Sequence, residues 1–148
     1  MNDRVFLDTN IFVYTQSSSD LEKHEIALKA IREFDCYTST QVFNEVSSVL
    51  LKKFKMPAGR VKQIIFAINK RCKIHLVDFE TVQKALDLKE AYGYSYYDSL
   101  IIAAAFLSDC KYVFSEDLQD GQLIENKIEI VNIFKRNAEE GQNDIKTR

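Results

Sequence analysis

The chain has 148 residues, a formal net charge of −2, 46% hydrophobic and 28% charged residues, one proline and four glycines. That describes one globular domain, which at this size buries roughly 68–70% of its unfolded surface and folds without a structural metal or disulfides. It argues against a long linker, does not suggest a general nucleic-acid coat and, because no apolar run approaches ~20 residues, leaves no candidate membrane-spanning helix.

Strand and helix signals alternate from the start. Val5 to Asp8 reads as a buried strand that stops on a carboxylate, and a helical pattern follows from Thr9. Met1 runs almost directly into this strand, so no leader peptide is expected, and the setting is cytoplasmic. Asp20 to Phe34 reads as a helix with Asp20 as N-cap. Cys36 to Ser39 reads as a short strand. The helix over Thr40 to Phe54 carries the apolar stripe Val42, Val46, Val49, Leu50 and Phe54. Pro57 opens another helix, with Val61, Ile64, Ile65 and Ile68 on one face. His75 to Asp78 is a predicted strand, followed by a helix from about Glu80 to Tyr92 that ends at Gly93.

Ser95 caps the next helix, which runs to about Asp109. Its run Leu100-Ile101-Ile102-Ala103-Ala104-Ala105-Phe106-Leu107 is apolar on nearly every side, so the helix is sandwiched between layers. Lys111 to Ser115 and Ile128 to Val131 are the last predicted strands. We expect one domain over 1–136 and a polar, frayed tail over 137–148. Cys36, Cys72 and Cys110 form no CxxC pair and read as small buried side chains in a reducing compartment.

Alternating strands and helices imply right-handed crossovers and a parallel sheet covered on both faces. Ligands of such sheets bind beyond the carboxyl ends of the strands, where strand order reverses. Four acids stand where they can meet there. Asp8 ends the first strand, and could also simply cap the following helix. Glu45 flanks the apolar stripe of its helix. Asp98 lies in the first turn of the buried helix, where the helix dipole favours it in any case. Asp117 follows the strand ending at Ser115, with Glu116 and Asp120 as nearby alternatives; Asp120-Gly121 also reads as a turn.

Each position has an ordinary explanation, and the chain has 22 acids. Their joint placement carries the argument. One carboxylate pair at ~4 Å repels by about 1 kcal/mol in water and about 4 at an effective dielectric of 20. A cluster therefore calls for protons or a cation. Oxygen-only ligands select a hard ion, Mg²⁺ or Mn²⁺, and neither His24 nor His75 lies near these motifs to suggest zinc. The matching chemistry is phosphodiester hydrolysis.

At these residues the sequence resembles a PIN domain, and is most similar to VapC-type ribonuclease toxins. The resemblance runs from about Val5 to Phe134. It rests on Phe6-Leu7-Asp8-Thr9-Asn10, on Glu45, on Tyr97-Asp98-Ser99 and on Ser115-Glu116-Asp117. It implies a three-layer α/β/α sandwich with a central parallel β-sheet, and Mg²⁺- or Mn²⁺-dependent endoribonuclease activity. By position it makes Asp8, Glu45 and Asp98 the core metal ligands and Asp117 the fourth acid. Thr9, Asn10 and Ser115 would hold the carboxylates in place. It also implies a small DNA-binding antitoxin that covers the site, and a homodimer.

RNA held against an acidic pocket needs cations nearby. The dense basic region comprises Lys52, Lys53, Lys55, Arg60 and Lys62, then Lys70, Arg71 and Lys73. These residues either guide phosphates or are solvated helix ends. Tyr14, Tyr96 and Tyr97 lie near the acids and can stack on bases, although packing is the commoner role of tyrosine. Two other classes fit less well. A catalytically silent interaction module has no need of repelling carboxylates. A Mg²⁺-dependent phosphatase usually carries Asp-x-Asp, and here Asn10 takes the second place.

Overall fold

The computed structural model describes residues 3–135. The expected tail over 137–148 lies outside them. In chain order the elements are β1 (Arg4–Leu7), α1 (Thr9–Thr15), α2 (Leu21–Glu33), β2 (Asp35–Ser39), α3 (Thr40–Lys52) and α4 (Ala58–Arg71). Then follow β3 (Lys73–His75), α5 (Phe79–Tyr92), α6 (Tyr96–Leu107), β4 (Tyr112–Phe114), β5 (Leu123–Ile124) and β6 (Ile128–Val131).

The strands form one sheet in the order β3-β2-β1-β4-β6-β5. All pairs are parallel except β5 with β6. The chain winds from β1 outward through β2 to β3, then returns across the sheet to place β4 on the other side of β1. Strand order therefore reverses between β1 and β4, and a crevice opens beyond their carboxyl ends. Helices α1 to α4 pack on one another, α5 packs along α6, and α6 lies against β2 and β4. The result is the three-layer α/β/α sandwich.

Burial explains why the central elements form. Val5, Phe6 and Leu7 of β1 and Val113 and Phe114 of β4 are fully buried, as strands covered on both faces must be. From Ser99 to Ala105 every residue of α6 is buried. Its small alanines let the helix sit close to its neighbours. Thr38 Oγ1 donates to the Leu7 carbonyl at 3.0 Å, which ties β2 to the end of β1 from inside the core. Cys36, Cys72 and Cys110 are free and buried.

Two elements differ from expectation. The third strand covers Lys73 to His75 rather than His75 to Asp78. Asp78 instead caps α5, accepting from Thr81 N at 3.0 Å, and His75 Nε2 lies 2.7 Å from Thr81 Oγ1. The cap takes the residues that an extended strand would need. The second difference is β5, an unexpected antiparallel edge strand. Its turn into β6 places Glu125 and Asn126 at φ 50° and 54°, closed by Lys127 N donating to the Ile124 carbonyl at 2.9 Å. Two consecutive positive φ values mark a type I′ hairpin turn, which usually announces itself with glycine.

Candidate active site

Asp8 is placed by the step from β1 into α1. Its backbone N–H continues the ladder to the Phe114 carbonyl at 3.0 Å. Its backbone is extended, and its side chain caps α1 by accepting from Thr9 N at 2.7 Å. Ser115, the first residue past β4, donates its Oγ proton to the other carboxylate oxygen at 2.8 Å. Both neighbours of the switch point thus hold the same carboxylate. Capping and exposure to the crevice are compatible: one oxygen accepts from Thr9 N and the other from Ser115 Oγ.

Three acids share this crevice electrostatically. Burial raises the Asp8 carboxyl from 3.8 to about 6. The hydrogen bonds from Thr9 N and Ser115 work against that rise, and the negative charges of Glu45 and Asp98 add to it. Glu45 projects from the second turn of α3. It accepts from Thr9 Oγ1 at 3.2 Å and from Gln41 Nε2 at 3.0 Å. Asp98 sits in the first turn of α6, and its backbone N–H donates to the capping Ser95 Oγ at 3.1 Å.

Asp117 stands at the exposed rim. Asn10 Nδ2 donates to it at 3.0 Å. Its two sequence rivals are occupied elsewhere. Glu116 accepts from Tyr14 at 2.6 Å and pairs with Lys23 at 2.5 Å. Asp120 accepts from Asn132 N at 2.9 Å. Of the three, Asp117 is the one bonded to Asn10, two residues past Asp8.

Among the described residues, no three acids, histidines or cysteines are drawn into a finished metal cage. Three of the carboxylates accept from neutral side-chain donors: Asp8 from Ser115, Glu45 from Thr9 and Gln41, and Asp117 from Asn10. The donor set nevertheless fits a hard divalent ion. It is all oxygen, and the histidines are engaged elsewhere: His24 Nδ1 lies 2.9 Å from the Tyr14 carbonyl, and His75 faces Thr81.

The other sequence candidates divide. Lys52, Lys53, Lys55, Arg60 and Lys62 are all exposed, and none pairs with a described acid. Tyr14 is a packing residue, edge-on to Phe134 with ring centroids 4.9 Å apart. Tyr96 is half-buried, whereas Tyr97 is 62% exposed. The residue that sequence reasoning missed is Gln41. Its spacing of four from Glu45 on one helix was the available signal.

The fold has known counterparts. The PIN domain family matches residues 5–119. Among solved structures, the fold is similar to VapC20 of Mycobacterium tuberculosis, a sarcin-ricin loop cleaving toxin. The two are 18% identical over 76% of this chain and 89% of that one, with a TM-score of 0.64. A toxin–antitoxin complex from Klebsiella pneumoniae matches at 21% identity, 87% of this chain and 97% of the other, TM-score 0.65. VapBC2 of Rickettsia felis, solved on a DNA fragment from its promoter, matches at 16% identity, 87% and 99%, TM-score 0.62. No curated protein matches the sequence. With the family match covering most of the chain and four acids ordered around the β1–β4 switch point, the chain belongs to the PIN domain family.

Proposed function

We propose that the protein is a divalent-metal-dependent endoribonuclease, the toxin of a toxin–antitoxin pair. The observation that carries this reading is Asp8, a carboxylate raised to about 6 at the sheet's switch point, with Glu45 and Asp98 acting on it. A proton-hungry cluster of this kind is a common mark of a functional site. Asp8, Glu45 and Asp98 would hold Mg²⁺ or Mn²⁺, with Asp117 contributing from the rim. When bound, the ion would neutralise charge on a scissile phosphate and favour hydroxide over water. Ser115 and Thr9 N fix the Asp8 carboxylate, while Thr9 Oγ1 and Gln41 aim Glu45. Hydrolysis joins a water oxygen to phosphorus and breaks the bond to one ester oxygen.

The same reading extends to partners. The exposed cations Lys52, Lys53, Lys55, Arg60 and Lys62 guide the RNA backbone toward the acids. The toxin–antitoxin neighbours support a DNA-binding antitoxin as cognate partner. Leu76 and Phe79 are 68% and 78% exposed, flanking Val77, whose N–H donates to Thr40 Oγ1 at 3.0 Å. This apolar face supports a homodimer. Among the described residues no helix is long and apolar enough to cross a membrane, and we assign the protein to the cytoplasm.

The test is cleavage of single-stranded and structured RNA by the wild type and by Asp8→Asn, with Mn²⁺ and with chelator. Cleavage is expected only in the wild type with metal. An Asp8→Asn protein that cleaves as well as its parent would overturn the assignment.

A further inference from the structure

A groove of about 490 Å³ opens beside the acids, lined by Gln41, Asn44, Glu45 and Ser48 of α3 and by Tyr97 of α6. The α3 residues recur at spacings of three and four, so they form one stripe on that helix. The Tyr97 ring stands across from them, 62% exposed. Among the described residues no lysine or arginine lines the groove, and Glu45 brings a negative charge to it. Such a groove is unsuited to a phosphate. It suits a flat, neutral group with hydrogen-bonding edges.

We infer that this groove seats one unpaired nucleobase of the substrate, stacked on Tyr97 and read at its edges by Gln41, Asn44 and Ser48. The inference rests on the ribonuclease reading and adds the element that reading lacks, a base-recognition site. Three observations carry it. Glu45 belongs both to the groove and to the acid crevice, so a base seated here lies next to the phosphodiester at the acids. The Tyr97 ring is held by Tyr96, with centroids 5.6 Å apart at 58°, so stacking costs little side-chain freedom. The volume falls within the roughly 300–1,000 Å³ of ordinary small-ligand sites. Amide and hydroxyl groups offer both donors and acceptors, which base edges require.

The test uses the full-length protein carrying Asp8→Asn, so that RNA is bound without turnover. Binding of short fluorescent single-stranded RNAs is measured by anisotropy, with and without Tyr97→Ala. One stacked base contributes about 1–3 kcal/mol, so Tyr97→Ala should weaken binding by roughly 5- to 150-fold. Tyr97→Phe keeps the ring and should bind as the parent does. Scanning the RNA with single abasic nucleotides should find one position whose loss matches that of Tyr97→Ala, and the two losses should not add.

Unchanged affinity in Tyr97→Ala, with its melting temperature preserved, overturns the inference. So does a Tyr97→Ala protein that binds RNA normally but no longer self-associates, which would assign the face to a second copy of the chain. The two levels of the reading fail differently. Wild-type protein that neither binds nor cleaves single-stranded RNA removes the nuclease reading and this site with it. Normal wild-type cleavage with an indifferent Tyr97→Ala removes the base site alone.

Discussion

At Asp8 the fold works against itself. The unfolded chain ionises this carboxyl near 3.8, whereas the folded protein holds its proton until about pH 6. Between those values the folded state binds more protons than the unfolded state, so stability falls as pH rises. Well below pH 3.8 both states are protonated and the penalty is absent. Well above pH 6 it is complete, on the order of 2–3 kcal/mol. Asp8→Asn keeps an acceptor for Thr9 N and removes the charge. It should melt several degrees above the wild type at pH 8, at about 2–4 °C per kcal/mol for a chain of this size. The difference should shrink to a small remainder by pH 4; thermal denaturation across that range reads it directly, and an equal gain at both ends would point to packing instead of charge. Ser115 acts in the opposite sense, because its hydroxyl stabilises the ionised form. Ser115→Ala should move the acid limb of the cleavage profile to higher pH, and an unmoved limb would show that Asp8 does not govern it.

Among the elements, the hairpin of β5 and β6 shows what local signals miss. Asn126 sits at φ 54° in a turn that favours glycine at this place. Asn126→Gly should therefore stabilise the protein by about 0.5–1 kcal/mol, measured by denaturant midpoint, since the left-handed region costs a residue with Cβ about that much or more. The Glu-Asn pair gave no glycine mark and β5 is two residues long, so this strand was not legible. β3 was misplaced by two residues for a related reason. Leu76 and Val77 look like strand residues, but the Asp78–Thr81 capping box claims the chain just beyond them. The central elements were legible because burial on both faces leaves an unbroken apolar run, as in β1 and α6. Of the proposed site, Asp8, Asp98 and Asp117 stood out by their positions at element ends and Glu45 by its place on the flank of an apolar helix stripe. Glu116 and Asp120 could be set apart from Asp117 only through their partners Lys23, Tyr14 and Asn132, all distant in sequence.

For the whole molecule, the proposed metal role of the acids would couple folding to a cation. A metal that binds only the folded state raises its stability by mass action. Its ligands must first lose their protons. On the proposed reading Asp8 would set the threshold, since its carboxyl is raised to about 6 in the fold. Mn²⁺ should therefore raise the melting temperature clearly at pH 8 and little at pH 5, and chelator should reverse the gain. Charge-neutral replacements then sort the acids. Asp8→Asn, Glu45→Gln and Asp98→Asn should each abolish most of the Mn²⁺ response. Asp117→Asn, on the exposed rim, should reduce it without abolishing it. Glu116→Gln should leave the response intact while lowering the metal-free melting temperature, because it removes the charge that pairs with Lys23 in the contact joining α1 and α2 to the segment after β4. A Glu116→Gln protein that lost its Mn²⁺ response, beside an Asp117→Asn protein that kept it, would move the fourth ligand from Asp117 to Glu116.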